Sequence, residues 1–345
     1  MPVYPNVVPI CREGGKGKRS RCSPGASPKH NLNNVYVMKI LLAKPRGFCA
    51  GVKRAIAVVN RALEEYGRPV YVLHEIVHNT HVVKSLADKG AIFVETLEEI
   101  PTGSITIFSA HGVARAVEEK AHALGLHTID ATCPLVSRVH RRVARLNKIG
   151  YDVLIIGHKK HPEVEGTLGR ALGRAHVLSS SDDIEKLQVE NPDQVGYVTQ
   201  TTLSMDDAEE LIGLLKQKYP NIDIPNRTDI CYATQNRQTA VRNLAEKVDL
   251  FLVVGSKNSS NSNRLREVAA NRGVAAYLID TAQEINQDWL EGVESIGITA
   301  GASAPEILVD EVVASLHKNG FTEVTEVKGT EEHTRFGLPE LPDFS

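Results

Sequence analysis

The amino-acid sequence predicts an α/β fold that consists of three similar modules with parallel sheets. From Met38 onward, short apolar runs alternate with stretches of helical periodicity, which is the pattern of βα units. Two of the apolar runs are near copies: Asp-Val-Leu-Ile-Ile-Gly-His-Lys begins at Asp152, and Asp-Leu-Phe-Leu-Val-Val-Gly-Ser-Lys begins at Asp249. A fainter counterpart is the segment Val70–Leu73. Internal repetition of this kind indicates repeated structural units.

Length and composition limit the possible classes of protein. The chain has 345 residues, of which 42% are hydrophobic and 24% charged, with a net charge of −2. Its length exceeds that of a usual single-core domain, so several domains are expected. The near-neutral charge argues against a nucleic-acid partner. No apolar run approaches the roughly 20 residues that cross a bilayer, so no membrane partner is expected.

Residues 1–37 differ from the rest of the chain. They contain six Lys or Arg against one acid, Glu13, and show no sustained apolar period. We expect a disordered basic extension, because such a segment buries little apolar surface. An upstream extension is the favoured interpretation, and an organellar transit peptide is the alternative. No signal-peptide core is present, and the five cysteines do not form a disulfide framework, so a cytoplasmic location is expected.

The elements follow in order from Met38, which opens the first predicted strand. The pattern predicts an α/β module 1 at 38–133, module 2 at 134–230, module 3 at 231–328 and a polar C-terminal tail at 329–345. Uniformly apolar runs predict buried parallel strands at Ile105–Phe108, Val153–Ile156 and Leu250–Val254. Amphipathic periodicity predicts helices at Val113–Leu124, Val136–Ile149 and Ala208–Lys218.

Three cysteines recur in equivalent positions, at Cys49, Cys133 and Cys231. Each follows an apolar or β-rich run and precedes a helical stretch, so each is expected at a strand-to-helix turn. The positive end of the following helix favours a thiolate there. Three convergent thiolates suit an iron–sulfur cluster with one unligated iron. Structural zinc usually draws on close Cys pairs, which the chain lacks, and buried structural cysteine is the weaker alternative. Cys11 and Cys22 fall in the basic extension and are not expected to be ligands.

Three histidines follow predicted strands, where open α/β sheets bind their ligands. They are His78 in Glu-Ile-Val-His-Asn, His111 in Ser-Ala-His-Gly and His161 in His-Lys-Lys-His-Pro-Glu. A lone loop histidine is usually only solvated. These three gain significance because their loops can converge with the thiolates.

Glu163 follows a proline at a predicted helix start. An acid there often only complements the helix dipole. Beside a reduced cluster it could instead deliver the proton that lets a hydroxyl group leave as water. Glu165 is the alternative acid for this role.

Hydroxyl and amide side chains also cluster at helix starts. One group is Ser-Lys-Asn-Ser-Ser-Asn-Ser, which includes Ser259, Ser260 and Asn261, and Ser303 lies in a second turn. Single residues of this kind are normally N-caps, but a dense Ser/Asn loop is also a good phosphate site. Neither a Walker A sequence nor a G-x-G-x-x-G motif is present, which disfavours nucleotide hydrolysis and simple NAD binding.

At these residues the chain resembles the 4-hydroxy-3-methylbut-2-enyl diphosphate reductase family. The matching stretches run in family order from about residue 38 to residue 325. They are Pro45–Val52, Glu75–Asn79, Ser109–Val113, Asp130–Val136, Gly157–Thr167, Thr199–Ser204, Asp229–Arg237 and Gly255–Ser262. Residues 1–37 lie outside the resemblance.

The resemblance implies three α/β modules arranged as a cloverleaf around a central [4Fe–4S] cluster, one per chain. Cys49, Cys133 and Cys231 would hold three irons, and the fourth would be open to the substrate. The diphosphate and pocket residues would be His78, His111, His161, Ser259, Ser260, Asn261 and Ser303. Glu163 would supply protons, and Thr201 would orient the substrate hydroxyl.

The implied reaction is reductive dehydroxylation of (E)-4-hydroxy-3-methylbut-2-enyl diphosphate to isopentenyl and dimethylallyl diphosphate. This is the last step of the methylerythritol phosphate route to isoprenoids. Reduced ferredoxin or flavodoxin would donate the electrons. Two alternatives remain from the residues themselves, an iron–sulfur redox sensor and a zinc hydrolase with Glu163 as general base.

Overall fold

The computed structural model describes residues 38–344 of the chain. The basic extension at 1–37, with Cys11 and Cys22, lies outside the described residues. The strands are β1 (Lys39–Leu42), β2 (Val70–Leu73), β3 (Ala91–Val94), β4 (Ile105–Phe108), β5 (His127–Asp130), β6 (Asp152–Ile156), β7 (Ala175–Leu178), β8 (Val195–Thr199), β9 (Leu250–Val254), β10 (Ala275–Ile279), β11 (Ser295–Ala300) and β12 (Glu323–Glu326).

Ten α-helices connect and flank these strands in the described part of the chain. They are α1 (Ala50–Tyr66), α2 (Thr80–Asp88), α3 (Arg115–Ala123), α4 (Pro134–Lys148), α5 (Pro162–Leu168), α6 (Ser181–Lys186), α7 (Met205–Lys218), α8 (Tyr232–Ala245), α9 (Ser260–Ala270) and α10 (Glu306–Lys318). Helices α3, α4 and α7 and strands β4, β6 and β9 confirm the periodicities read from the sequence, with ends shifted by at most a few residues.

The strands form three separate parallel sheets. Their orders are β3-β2-β4-β5, β7-β6-β8 and β10-β9-β11-β1-β12. Each sheet contains the same unit, in which the first strand of the unit lies between the second and the third. The near-copy segments at Asp152 and Asp249 are the central strands β6 and β9 of their units, and β2 is the third central strand. The α/β class and the threefold repetition are therefore confirmed.

Strand β1 departs from the expected contiguous modules. It pairs with β11 and β12 in the third sheet, whereas a module that starts at residue 38 would place it beside β2. The apolar pattern of a segment identifies a strand but not its neighbours, because pairing depends on contacts distant in sequence.

The core alternates across each sheet because successive strand residues point to opposite faces. In the third sheet, Leu252 and Val254 pack with Val312 of α10 on one face. Phe251 and Val253 pack on the other face against α8 and α9. All residues of β6 and β9 are buried, as expected for parallel strands that are covered on both sides.

No described helix is both long and apolar enough to cross a membrane.

Candidate functional site

One cavity is lined by residues from all three modules. In each sheet the order of the three-strand unit reverses beside its central strand, and ligands bind at such switch points in open α/β sheets. The loops that follow the central and the third strand of each unit, together with the first turns of α5 and α9, supply residues to the wall. These residues are His78 and His111, then His161, Glu163 and Thr201, then Ser259, Ser260, Asn261 and Ser303. Including its open mouth, the cavity has an empty volume of about 770 Å³.

Each of the three cysteines is the N-cap of a helix that begins a module. Cys49 precedes α1, Cys133 precedes α4 and Cys231 precedes α8. Their helix-start positions are therefore confirmed. What precedes Cys231 differs from the expectation. Cys231 follows an irregular segment after α7 and not a strand, because the residues of that segment do not pair regularly with a neighbouring strand.

The three cysteine backbones are fixed in the same way. Each backbone N–H donates a hydrogen bond to the loop that follows the third strand of another unit. The bonds are Cys49 to the Ala302 carbonyl at 3.1 Å, Cys133 to the Ala110 carbonyl at 3.0 Å and Cys231 to the Thr201 carbonyl at 3.0 Å. The loop of each strand unit thus holds the cysteine that caps the helix leading into the next unit, and the sulfur positions depend on all three units together.

The sulfur atoms face the common cavity. A Cβ atom placed on Gly51 would lie 2.8 Å from the Cys133 Sγ and 3.7 Å from the Cys49 Sγ, so these two sulfurs border one point. Cys231 lines the same cavity, and the charges of Cys49 and Cys231 each raise the pKa of Cys133. Gly51 is required here because any side chain would occupy the space between the thiols.

Burial changes the protonation of two of these thiols. It raises the pKa of Cys133 to about 12 and that of Cys231 to about 11, and the neighbouring thiols add to the effect. The backbone donors at the helix N-termini favour the thiolates, as expected, but desolvation outweighs them. A cationic partner such as a metal cluster would favour the thiolate form.

The three histidine rings form one cluster. The His78 and His111 rings stack with centroids 4.2 Å apart, and the His161 ring meets them edge-on at 5.6 and 5.9 Å. Burial, followed by the neighbouring rings, lowers the pKa of His161 to about 4 and that of His111 well below its usual value. The Glu163 backbone N–H donates to Nδ1 of His161 at 3.2 Å, so Nε2 carries the proton of the neutral ring.

Glu163 is almost completely buried, with 3% of its surface exposed. Its carboxylate accepts a hydrogen bond from the Thr201 backbone N–H at 2.5 Å and from the Thr201 hydroxyl at 2.8 Å. Burial outweighs these two donors and raises the pKa of Glu163 to about 7. The alternative acid Glu165 is exposed and does not line the cavity.

Two buried groups in the cavity wall have polar atoms without hydrogen-bond partners. They are Nδ2 and Oδ1 of Asn261, and Nε2 of His78. Buried polar atoms in proteins are nearly always hydrogen-bonded, because leaving them unpaired costs about 1–3 kcal/mol each. Unpaired atoms at a cavity wall point to a polar ligand.

Bonds between modules hold this wall together. The Thr202 hydroxyl donates to the Ser260 hydroxyl at 3.1 Å, and Nε2 of Gln200 donates to both residues. The Ser303 hydroxyl donates to the His78 carbonyl at 2.9 Å.

Sequence reasoning missed some of these contributors. Gln200 lies within the Thr-Gln-Thr-Thr stretch, where its neighbours could have suggested it. Phe336 lines the cavity from the C-terminal tail, and no sequence signal marks it.

The fold and the cavity together define a class: α/β proteins of three like modules, each opened by a cysteine-capped helix, around one cavity that contains thiols, histidines and hydroxyl groups. The family model described as LytB protein matches residues 40–317. The chain belongs to this family.

Relatives and solved structures agree with this assignment. A 4-hydroxy-3-methylbut-2-enyl diphosphate reductase of Shewanella pealeana is 55% identical over 305 residues, which cover 88% of this chain and 99% of that protein. The protein of the same name from Bordetella pertussis is 57% identical over 301 residues, 87% of this chain and 93% of its own length.

Among solved structures, the E-1-hydroxy-2-methyl-but-2-enyl-4-diphosphate reductase from Plasmodium falciparum superposes with a TM-score of 0.85 at 41% identity. The match covers 88% of this chain and 96% of that one. A second structure, of an (E)-4-hydroxy-3-methyl-but-2-enyl diphosphate reductase, superposes with a TM-score of 0.59 at 37% identity, over 81% of this chain and 99% of that one.

Proposed function

We propose that the chain is an oxidoreductase that converts (E)-4-hydroxy-3-methylbut-2-enyl diphosphate to isopentenyl and dimethylallyl diphosphate. The reaction is the last step of the methylerythritol phosphate route. Relatives that carry the name of this reductase align over nearly their whole length. The observation that carries the proposal is one cavity that combines three thiols, a buried acid and unpaired polar atoms.

The donor set fits a polynuclear iron–sulfur cluster. Three thiols border one cavity, and three such thiolates suit an iron–sulfur cluster. Structural zinc usually draws on close Cys pairs, which the sequence lacks. Cys49, Cys133 and Cys231 would hold a [4Fe–4S] cluster with one iron open to the substrate. When bound, the cluster would supply two electrons, one at a time, and a Lewis-acid site for the substrate hydroxyl.

The balance of the reaction assigns a role to Glu163. The substrate takes up two electrons and two protons, its terminal C–O bond breaks, and water leaves. One proton must reach the departing oxygen, since hydroxide is a poor leaving group. Glu163 is a suitable donor because its pKa of about 7 leaves the neutral acid available near neutral pH. The second proton goes to either end of the allylic unit, which gives the two products.

Thr201 would hold both partners of this proton transfer. Its hydroxyl donates to Glu163 at 2.8 Å and lines the cavity, so its oxygen is placed to accept a hydrogen bond from the substrate hydroxyl. Orientation of this kind lowers the barrier by fixing the reacting groups before the bond breaks.

The diphosphate would bind among His78, His111, His161, Ser259, Ser260, Asn261 and Ser303. The start of α9 supports this, because backbone N–H groups at a helix N-terminus favour an anion. Nε2–H of the neutral His161 and Nδ2 of Asn261 are donors without a protein partner to compete for them. The bound diphosphate would also fix the fold of the substrate so that its hydroxyl reaches Thr201.

The proposed electron donor is reduced ferredoxin or flavodoxin. The proposed location is the cytoplasm. Nucleic acid and membranes are not proposed as partners. The sequence resemblance supports ferredoxin or flavodoxin as the donor. The near-neutral charge is the reason for not proposing nucleic acid, and no described helix could cross a membrane.

The test is anaerobic purification, quantification of iron and sulfide, and then turnover with a chemical reductant. We expect about four irons and four sulfides per chain and release of both products. Cys133→Ser should lose the cluster. Iron and sulfide without turnover would favour the redox sensor, and zinc in place of iron would favour the hydrolase. Either result would contradict the proposal.

A further inference from the structure

Glu75 lies in the loop after β2 and joins two modules through one carboxylate oxygen. Its Oε2 lies 2.9 Å from Nδ1 of His78 and accepts a hydrogen bond from Nδ2 of Asn258 at 2.8 Å. His78 belongs to the first module and Asn258 to the loop after β9 in the third. The side chains of His78 and Glu75 are 16% and 30% exposed.

The carboxylate fixes the roles of the two ring nitrogens of His78. A carboxylate oxygen only accepts, so Nδ1 must carry a proton. The other nitrogen, Nε2, is buried and without a partner. In the neutral ring with Nδ1–H, Nε2 carries a lone pair that would repel a phosphate oxygen. In the protonated ring, Nε2–H is a donor for the anion, and a carboxylate at hydrogen-bond distance stabilises that charged form.

His78 is distinguished from the other two rings of the cluster by this partner. The Glu163 backbone N–H occupies Nδ1 of His161, and the Ser109 hydroxyl lies 3.3 Å from Nδ1 of His111. Neither contact is a carboxylate. The groups that face His78 from packed elements are the His111 and His161 rings, Glu163 at longer range and Glu75 itself. Of the three rings, only His78 therefore has a directly bonded carboxylate in the described part of the chain, and a charge-assisted hydrogen bond to an anion is best supported there.

The charge of Glu75 is secure near neutral pH. The hydrogen bond from His78 lowers the pKa of Glu75 and outweighs the effect of burial, with a smaller contribution from Asn258. Further bonds anchor the same loop to the third module, from the Ser303 hydroxyl to the His78 carbonyl at 2.9 Å and from the Thr80 N–H to the Ser256 hydroxyl at 3.2 Å.

We propose that Glu75 is a positioning residue that prepares His78 as the cationic donor to the diphosphate and, through Asn258, latches the His78 loop to the third module. The inference rests on the proposed function for the identity of the anion.

The test is binding of inorganic diphosphate and isopentenyl diphosphate to the holoenzyme by calorimetry between pH 6 and pH 8. Glu75→Gln keeps the size of the side chain and removes only its charge. We expect about tenfold weaker binding of both anions, because the variant loses the charged partner that holds Nδ1–H of His78 and supports Nε2 as a donor to the anion. The KM should rise more than kcat falls. Glu75→Asp should restore part of the affinity, and Asn258→Ala should weaken binding about threefold with the wild-type pH profile.

Glu95→Gln is the matched control. Glu95 forms the same kind of pair with His74 at 3.1 Å, but both side chains are exposed and neither lines the cavity. We expect this variant to bind as the wild type does. Wild-type affinity for both probes in Glu75→Gln, or a fall in kcat with an unchanged KM, would overturn the role of Glu75. Failure of the wild-type protein to bind either probe would overturn the proposed function as well.

Discussion

At the scale of single residues, the environment of Glu163 decides what it can do. Two hydrogen bonds from Thr201 favour the carboxylate, whereas burial favours the neutral acid, and burial prevails. The resulting pKa of about 7 matches a general acid that works near neutral pH. An exposed glutamate with an ordinary pKa would be almost fully ionised there.

Glu163→Gln should abolish most turnover while leaving the fold intact. General acid catalysis contributes about 10²–10⁴-fold, so we expect kcat to fall by at least about a hundredfold. In the wild-type protein, kcat should decline as the pH rises through about 7, because the neutral carboxyl group is lost above its pKa. The measurement is kcat between pH 6 and 8.5, with iron content as the control. A Gln variant with wild-type kcat would remove Glu163 from the role.

Thr201→Val should shift that decline to higher pH. The variant loses the hydroxyl donor and keeps the backbone N–H donor, so the carboxylate is less stabilised and the pKa of Glu163 rises further. We also expect kcat to fall by about tenfold, from the loss of one hydrogen bond that orients the substrate. Thr201→Ser retains the hydroxyl and should resemble the wild type. An unchanged pH midpoint in the Val variant would argue against this coupling.

At the scale of elements, helix α5 approaches the His111 loop so closely that it needs a glycine. A Cβ atom on Gly166 would lie 2.9 Å from the carbonyl oxygen of Gly112, which itself has a φ of +73°. The same helix carries Glu163 one turn earlier. Close packing therefore sets the distance between the acid and the histidine cluster.

Gly166→Ala should separate these two elements. Overpacking of this kind costs about 1–3 kcal/mol, and the displaced helix should lower turnover. Gly213 in α7 is the matched control, since a Cβ there meets nothing within 4 Å. Gly213→Ala should raise stability by about 0.5–1 kcal/mol, because alanine favours the helix. Urea unfolding of both variants checks the prediction, and equal effects at the two positions would contradict it.

The positions of helices and strands were more predictable from the sequence than the contacts between them. Cys49, Cys133 and Cys231 all begin helices, because an apolar period that follows a short turn is a local signal. The residues around Glu163 and Asn261 were predictable from their positions at helix starts. By contrast, the pairing of β1 with β11 and β12 and the bond between Glu75 and Asn258 join residues far apart in sequence. No local pattern records such contacts.

At the scale of the whole molecule, the tail after residue 328 is a structural part of the protein. Glu332 pairs with Arg237, which is fully buried and also donates to the carbonyls of Gly47 and Ala233. Further along, the Tyr66 hydroxyl donates to the Pro342 carbonyl, and the Tyr66 ring lies 5.5 Å from the Phe344 ring at a tilt of 42°. The tail thus connects α8 with α1, and Phe336 between these anchors reaches the cavity.

Glu332→Gln should destabilise the protein by about 1–3 kcal/mol, because it leaves the buried Arg237 cation without its charged partner. Three carbonyl bonds to the guanidinium remain, which limits the loss. The measurement is the free energy of unfolding in urea. Glu331→Gln is the control. Glu331 is exposed, and its ion pair with His333, at 3.7 Å, is also exposed to solvent. A loss of stability in the control as large as in Glu332→Gln would refute the explanation.

The position of β1 has a consequence for biosynthesis. This strand leaves the ribosome first among the described elements, but its neighbours begin only at Ser295 and Glu323. The backbone of β1 therefore lacks its two neighbouring strands until translation is almost finished. Cys49 lies seven residues after the end of that strand, and its backbone N–H bonds to the Ala302 carbonyl beyond β11, so its final position also depends on late residues. If the chain holds the proposed cluster, iron and sulfide would be loaded after synthesis is complete, and chaperones that shield β1 should raise the yield of loaded protein.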